Sequence, residues 1–149
     1  MKTAALILSA LFFTSISGAA SAHGLGESDI RNLAEAYGYV EYQKTALTEI
    51  MHSYPALTPD VLMFQRRFRD RFPGAEAAVR KHFECFGDFG IKVLAKSNER
   101  IGKLMPDVKF RNEELAEKQL DLFIATLDQP TELTDRIFRT LSDVSFTHN

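Results

Sequence analysis

An all-α fold, a single elongated antiparallel bundle of about five helices, is what this sequence predicts, and three observations predict it. Apolar residues recur at steps of three and four along most of the chain beyond residue 28. No stretch alternates apolar and polar residues in the manner of a half-buried strand. The breaks between periodic stretches are short and marked by proline or glycine, and short connections favour antiparallel neighbours.

Residues 1–22 stand outside that pattern. Lys2 supplies a positive start, residues 4–16 form an apolar run, and Ala20-Ser21-Ala22 is the small-x-small pattern a signal peptidase reads. The run is too short to cross about 30 Å of hydrocarbon and carries several hydroxyl residues, which argues against a membrane helix. Cleavage after Ala22 is therefore expected, with a periplasmic or secreted product. Residues 23–149 then make one helical domain, long enough to bury about two thirds of its unfolded surface unaided. With 18 basic and 20 acidic residues in the whole chain, nothing asks for nucleic acid or an anionic membrane. No second apolar run is long enough to span a bilayer, so no membrane span is expected.

In the first helix, Leu33, Tyr37, Val40, Lys44, Leu47, Ile50 and Tyr54 fall on one stripe. Glu35, Glu41, Gln43 and Glu49 occupy the other face, expected to meet water. Ser28 or Asp29 is the expected cap, and Pro55 ends the helix by pushing residue 54 out of the helical region. Thr58-Pro59-Asp60 is expected to open the second helix as cap, first-turn proline and dipole-facing acid. Its core side is Val61, Phe64, Phe68 and Phe72, with Arg66, Arg67, Arg69 and Arg71 opposite.

The third helix, residues 75–101, is the one around which the rest is expected to be organised. Val79, Phe83, Phe86, Gly90, Val93, Ser97 and Ile101 share its apolar or small stripe. At 1.5 Å per residue it would run about 40 Å, longer than a compact domain of this size is wide. A bend or a tight crossing is therefore expected at residues 86–90, where Gly87 and Gly90 weaken the backbone and remove bulk. Gly102 is the expected residue just past its end. Asn112 should cap a fourth helix with Ala116, Leu120, Phe123 and Leu127 inward. Pro130 separates it from a fifth carrying Leu133, Ile137, Leu141 and Val144.

Catalytic signatures are missing from this sequence. It contains no His-Glu-x-x-His, no haem-attachment motif, no acidic calcium loop and no phosphate-binding glycine loop. His82 and Cys85, three apart on a helix, form the only pair in view for a nucleophile or a two-ligand metal contact. Cys85 is the sole cysteine and cannot close an intramolecular disulfide. Burial as a small apolar residue is the expectation, because no cation sits directly beside it to lower its pKa. The alternatives are a reactive thiol and an intermolecular disulfide joining a homodimer. His23, at the new N-terminus after cleavage, would chelate copper only with further ligands from His52 or His148. No cofactor and no metal site are expected.

Charge and aromatic content carry more information. Residues 66–81 hold Arg66, Arg67, Arg69, Arg71, Arg80 and Lys81 against only Asp70 and Glu76, while residues 27–49 are acidic. These faces either pair within the bundle or present an arginine surface to an acidic partner, since the guanidinium fork suits carboxylates. Tyr39 and Tyr42 fall beside the main stripe of the first helix. With Phe86 and Phe89 they are candidates to line a pocket or a partner-facing groove. The expected function is an exported protein-binding module of inhibitor, immunity or adaptor type, its partner another exported protein with an acidic surface. The alternative is a small-molecule or lipid carrier with an aromatic-lined apolar pocket, and the third reading is an enzyme using Cys85 and His82. On the first reading, reversing Arg67 and Arg71 to glutamate should abolish partner binding at nearly unchanged stability.

Overall fold

The computed structural model describes residues 27–147, and these are all-helical, with six α-helices rather than five and no strand among them. In chain order they are α1 (Glu27–Ser53), α2 (Thr58–Arg71), α3 (Ala75–Glu84), α4 (Gly87–Leu104), α5 (Glu113–Asp128) and α6 (Glu132–Thr147). Two 3₁₀ turns, Pro55–Leu57 and Met105–Asp107, lead into α2 and out of α4. The expected leader, residues 1–22, lies outside the described residues.

The organising element is α1, not the third helix of the sequence reading. It packs against α2, α3, α4 and α6. Because neighbours surround it, it buries more than one stripe: Ile30, Leu33, Tyr37, Val40, Leu47 and Ile50 are joined in the core by Tyr39, Tyr42 and Ala46. The face expected to meet water is also largely covered, with Glu35 and Gln43 buried. A buried carboxylate needs compensation. Glu35 receives two hydrogen bonds of 3.0 Å from the Arg136 guanidinium of α6, a bidentate fork. Two tyrosine hydroxyls of α1 are satisfied across the chain, Tyr42 donating to Gln119 Oε1 of α5 at 3.1 Å and Tyr37 donating to Asn98 Oδ1 of α4. Past the end of α1, Tyr54 donates to the Phe110 carbonyl at 2.7 Å and ties down the segment before α5.

The long helix expected over residues 75–101 is broken, not bent, and the break is the source of the sixth helix. The Cys85 and Phe86 amides donate to the carbonyls of His82 and Phe83, both at 3.1 Å, and tighten the end of α3. Gly87 then takes φ +63°, left-handed backbone that a side chain disfavours, and α4 starts there. Gly90 supplies the close approach expected of this stretch. A Cβ there would lie 1.9 Å from the Phe83 carbonyl oxygen, so the corner between α3 and α4 closes only over a bare Cα. Gly90→Ala is expected to cost about 2 kcal/mol because backbone must shift. Gly87→Ala, with open space around its Cβ, should cost about 1 kcal/mol from backbone strain alone. Urea denaturation of the two variants tests that order.

The remaining boundaries follow local chemistry. Asn112 caps α5 as expected, its Oδ1 accepting from the Leu115 amide at 2.9 Å. Thr58 does not cap α2. It already has helical backbone because the 3₁₀ turn runs straight into the helix, and Asp60 alone faces the dipole. Gly102 lies inside α4, which continues to Leu104. Ahead of α6, Thr131 and Thr134 bond each other's backbone amides at 2.7 and 3.3 Å.

Candidate binding groove

An open groove of about 500 Å³ lies where α1, α2 and α3 meet. Its floor is apolar, built from Val40 and Leu47 of α1, Phe68 of α2, Phe72 and Ala75. Polar groups stand among them: Lys44 from α1, Arg69 from α2, and Glu76 and Arg80 from α3, with Gln43 and Gln65 between. The groove exists because Phe68 and Phe72 turn inward together, ring centroids 5.0 Å apart, while the loop at Gly74 swings α3 alongside α1. Gly74 has φ +64°, which permits that turn. Lys44 occupies a position on the apolar stripe of α1, and the groove is the reason a charge is tolerated there.

The arginine run divides into two sets. Arg67 pairs with Asp128 at the end of α5. Arg71 donates to the Leu127 carbonyl and lies over the rings of Phe72 and Phe138, at 5.3 and 5.2 Å from their centroids. Both cations therefore close the C-terminal end of α5, where unpaired carbonyls and the helix dipole favour them. Arg80 sits over the Tyr37 ring at 5.4 Å and pairs with Glu76 and Glu41. These three are intramolecular. Arg66, Arg69 and Lys81 are exposed and form no ion pair or side-chain hydrogen bond among the described residues. Reversing Arg67 and Arg71 would break these intramolecular contacts, so that variant does not separate lost partner binding from lost stability.

Glu76 on the rim and Glu41 beside it share two cations. Lys44 Nζ lies 3.3 Å from both oxygens of Glu76. Arg80 lies 3.4 Å from Glu76 and 3.7 Å from Glu41 Oε1, which is buried and accepts no hydrogen bond. Burial, then the neighbouring Glu76, raises the Glu41 pKa above the ordinary carboxylate range. Burial opposes the ionised form of Glu76 too, but hydrogen bonds from Glu41 and Lys44, with the charges of Lys44 and Arg80, hold it below that range. A proton on this pair belongs on Glu41, donated toward Glu76.

The expected aromatic pocket does not form as one unit. Tyr39 and Tyr42 are core residues, set edge-on to the Phe123 ring at 6.5 and 6.0 Å. Burial raises the pKa of both hydroxyls, that of Tyr42 to about 12. Phe86 and Phe89 are half-buried at the corner between α3 and α4 and do not line the groove. Both pack partly buried against the core instead.

Cys85 is exposed, contrary to the expectation of burial. It falls at the end of α3, two residues past the buried Phe83 and so on the opposite side of the helix. His82 is half-buried and set edge-on to Phe86 at 6.1 Å. Among the described residues no group of three or more His, Cys, Asp or Glu side chains is placed to hold a metal ion. His23 and His148 lie outside the described residues. No helix among the described residues is long and apolar enough to cross a membrane. Compared with protein-family models, with curated proteins and with solved structures, the chain matches none of them, so its own residues carry the functional reading.

Proposed function

We propose that this is an exported binding module, and that the groove between α1, α2 and α3 takes an acidic, apolar-anchored segment of another exported protein. The observation that carries the reading is an apolar floor bordered by three cations, Lys44, Arg69 and Arg80, against one carboxylate, Glu76, with Arg66 and Lys81 uncommitted nearby in the sequence. Such a floor accepts one or two large side chains, and the cations reward carboxylates beside them. The openness of the groove favours a peptide over a carrier's cargo, since pockets for small ligands bury most of the ligand surface. Export is supported by Lys2, the apolar run of residues 4–16 and Ala20-Ser21-Ala22. An inhibitor, immunity or adaptor role would use such a binding surface.

Calorimetry with three probes tests the occupant: an amphipathic peptide with leucine anchors and glutamates, the same peptide with lysines, and dodecanoate. The acidic peptide should bind and the lysine peptide should not. Arg66→Glu with Arg69→Glu should weaken the acidic peptide at least about tenfold, because a rim charge and its neighbour on α2 reverse, while the melting temperature stays nearly constant. Tight binding of dodecanoate without the peptide would move the protein to the carrier class. An affinity indifferent to the double reversal would remove the arginine face from the account.

A further inference from the structure

We propose that Glu41 and Glu76 form an acid-responsive clasp beside the groove, which holds the rim cations Lys44 and Arg80 when both carboxyls are ionised and yields them to an acidic ligand when the pair carries a proton. The proposal rests on the reading of the groove as a site for acidic segments. With both carboxylates ionised, the four groups sum to zero charge, and each cation is turned toward a carboxylate at 3.3 to 3.7 Å. One proton, taken from solvent and shared between the carboxyls, leaves a net positive charge on the same rim. Lys44, Glu76 and Arg80 line the groove, so that charge falls where the ligand would sit.

The charged groups that act on Glu41 are Lys44, one turn along α1, and Glu76 and Arg80 on α3. From the other elements packed on α1, the contacts are of different kinds. Asn98 of α4 is uncharged and accepts from Tyr37, Arg136 of α6 is spent on Glu35 farther up the helix, and Arg69 of α2 borders the groove. Glu41 Oε1, buried without a hydrogen bond, is the atom for which ionisation is least favourable. The clasp is therefore poised to open in acid.

The test uses a leucine-anchored peptide whose acids are cysteic acid, so that the ligand stays ionised throughout. Its affinity for the native protein should rise about fivefold as pH falls from neutrality toward the ordinary carboxylate range, the worth of one unit charge across water-like surroundings. Glu41→Gln should bind at the acid-level affinity at every pH. Carbon NMR of the Glu41 carboxyl and nitrogen NMR of Lys44 Nζ, without peptide, should report one shared titration. An equal pH slope in Glu41→Gln would overturn the coupling. Glu41 titrating among ordinary carboxylates, with Lys44 silent, would overturn the clasp itself. Peptide that fails to bind at any pH, beside an intact shared titration, would reject the occupant and the gain in affinity together while leaving the clasp standing.

Discussion

Phe123→Ala is expected to destabilise the protein by about 4 kcal/mol, at the upper range for truncating a buried aromatic ring. Phe123 is where three helices meet. Its ring stacks on Phe64 of α2 at 5.8 Å and receives the edges of Tyr39 and Tyr42 of α1 at 6.5 and 6.0 Å. Removing it opens a cavity that those three rings cannot collapse into, because Tyr42 is anchored by its hydrogen bond to Gln119. Leu122, its neighbour on α5, is 49% exposed, and Leu122→Ala should fall within about 0.5 kcal/mol of the native protein. Chemical denaturation of the pair measures the contrast. Similar losses in both would mean that α5 does not seat Phe123 in the core.

Arg136→Ala is expected to cost about 3 kcal/mol, equivalent to roughly 10 °C in melting temperature for a domain of this size. The loss arises less from the ion pair than from what remains without it. The Glu35 side chain is only 8% exposed, so truncating its partner strands a carboxylate beneath α6. Replacing both partners, Glu35→Leu with Arg136→Met, should return the stability to within about 1 kcal/mol of native, since an apolar pair leaves nothing unsatisfied. Thermal denaturation of the single and double variants decides the matter. A double variant as unstable as Arg136→Ala would place the loss in packing rather than in a stranded charge.

The helices were legible in the sequence because a 3.6-residue period survives any tertiary arrangement. Stripes such as Val61, Phe64, Phe68 and Phe72 predicted core positions that the fold keeps buried. The central role of α1 was not legible, for a physical reason. Its second face is closed by partners far along the chain: Asn98 for Tyr37, Gln119 for Tyr42 and Arg136 for Glu35. A helix enclosed by such partners reads as amphipathic, because its polar residues look solvated until their donors and acceptors are located.

The break at residues 85–87 was visible as weakness, in two glycines, but not as a left-handed residue. The expectation that Cys85 is buried rested on its lack of cationic neighbours, and its place two residues past the inward-facing Phe83, off the apolar stripe, already pointed it outward. The arginine run was read as one surface because its sorting is decided at the end of α5, which accepts Arg67 and Arg71. One signal for the groove was present from the start. Lys44 interrupts the stripe of Val40 and Leu47, and a lysine at a core position asks for an opening beside it. That signal is weak, because a single lysine on an apolar stripe usually reaches water by its own length.

The central claim is that the groove is the binding face, and the most direct measurement is the map of backbone amide shifts as the acidic peptide is titrated into labelled protein. The account predicts saturating shifts at Val40, Lys44, Leu47, Phe68, Arg69 and Ala75, with Ile91 and Leu122 unmoved although both side chains are exposed. Shifts gathered around Ile91, or around Leu122, with the groove silent would contradict it and place recognition on another face of the bundle.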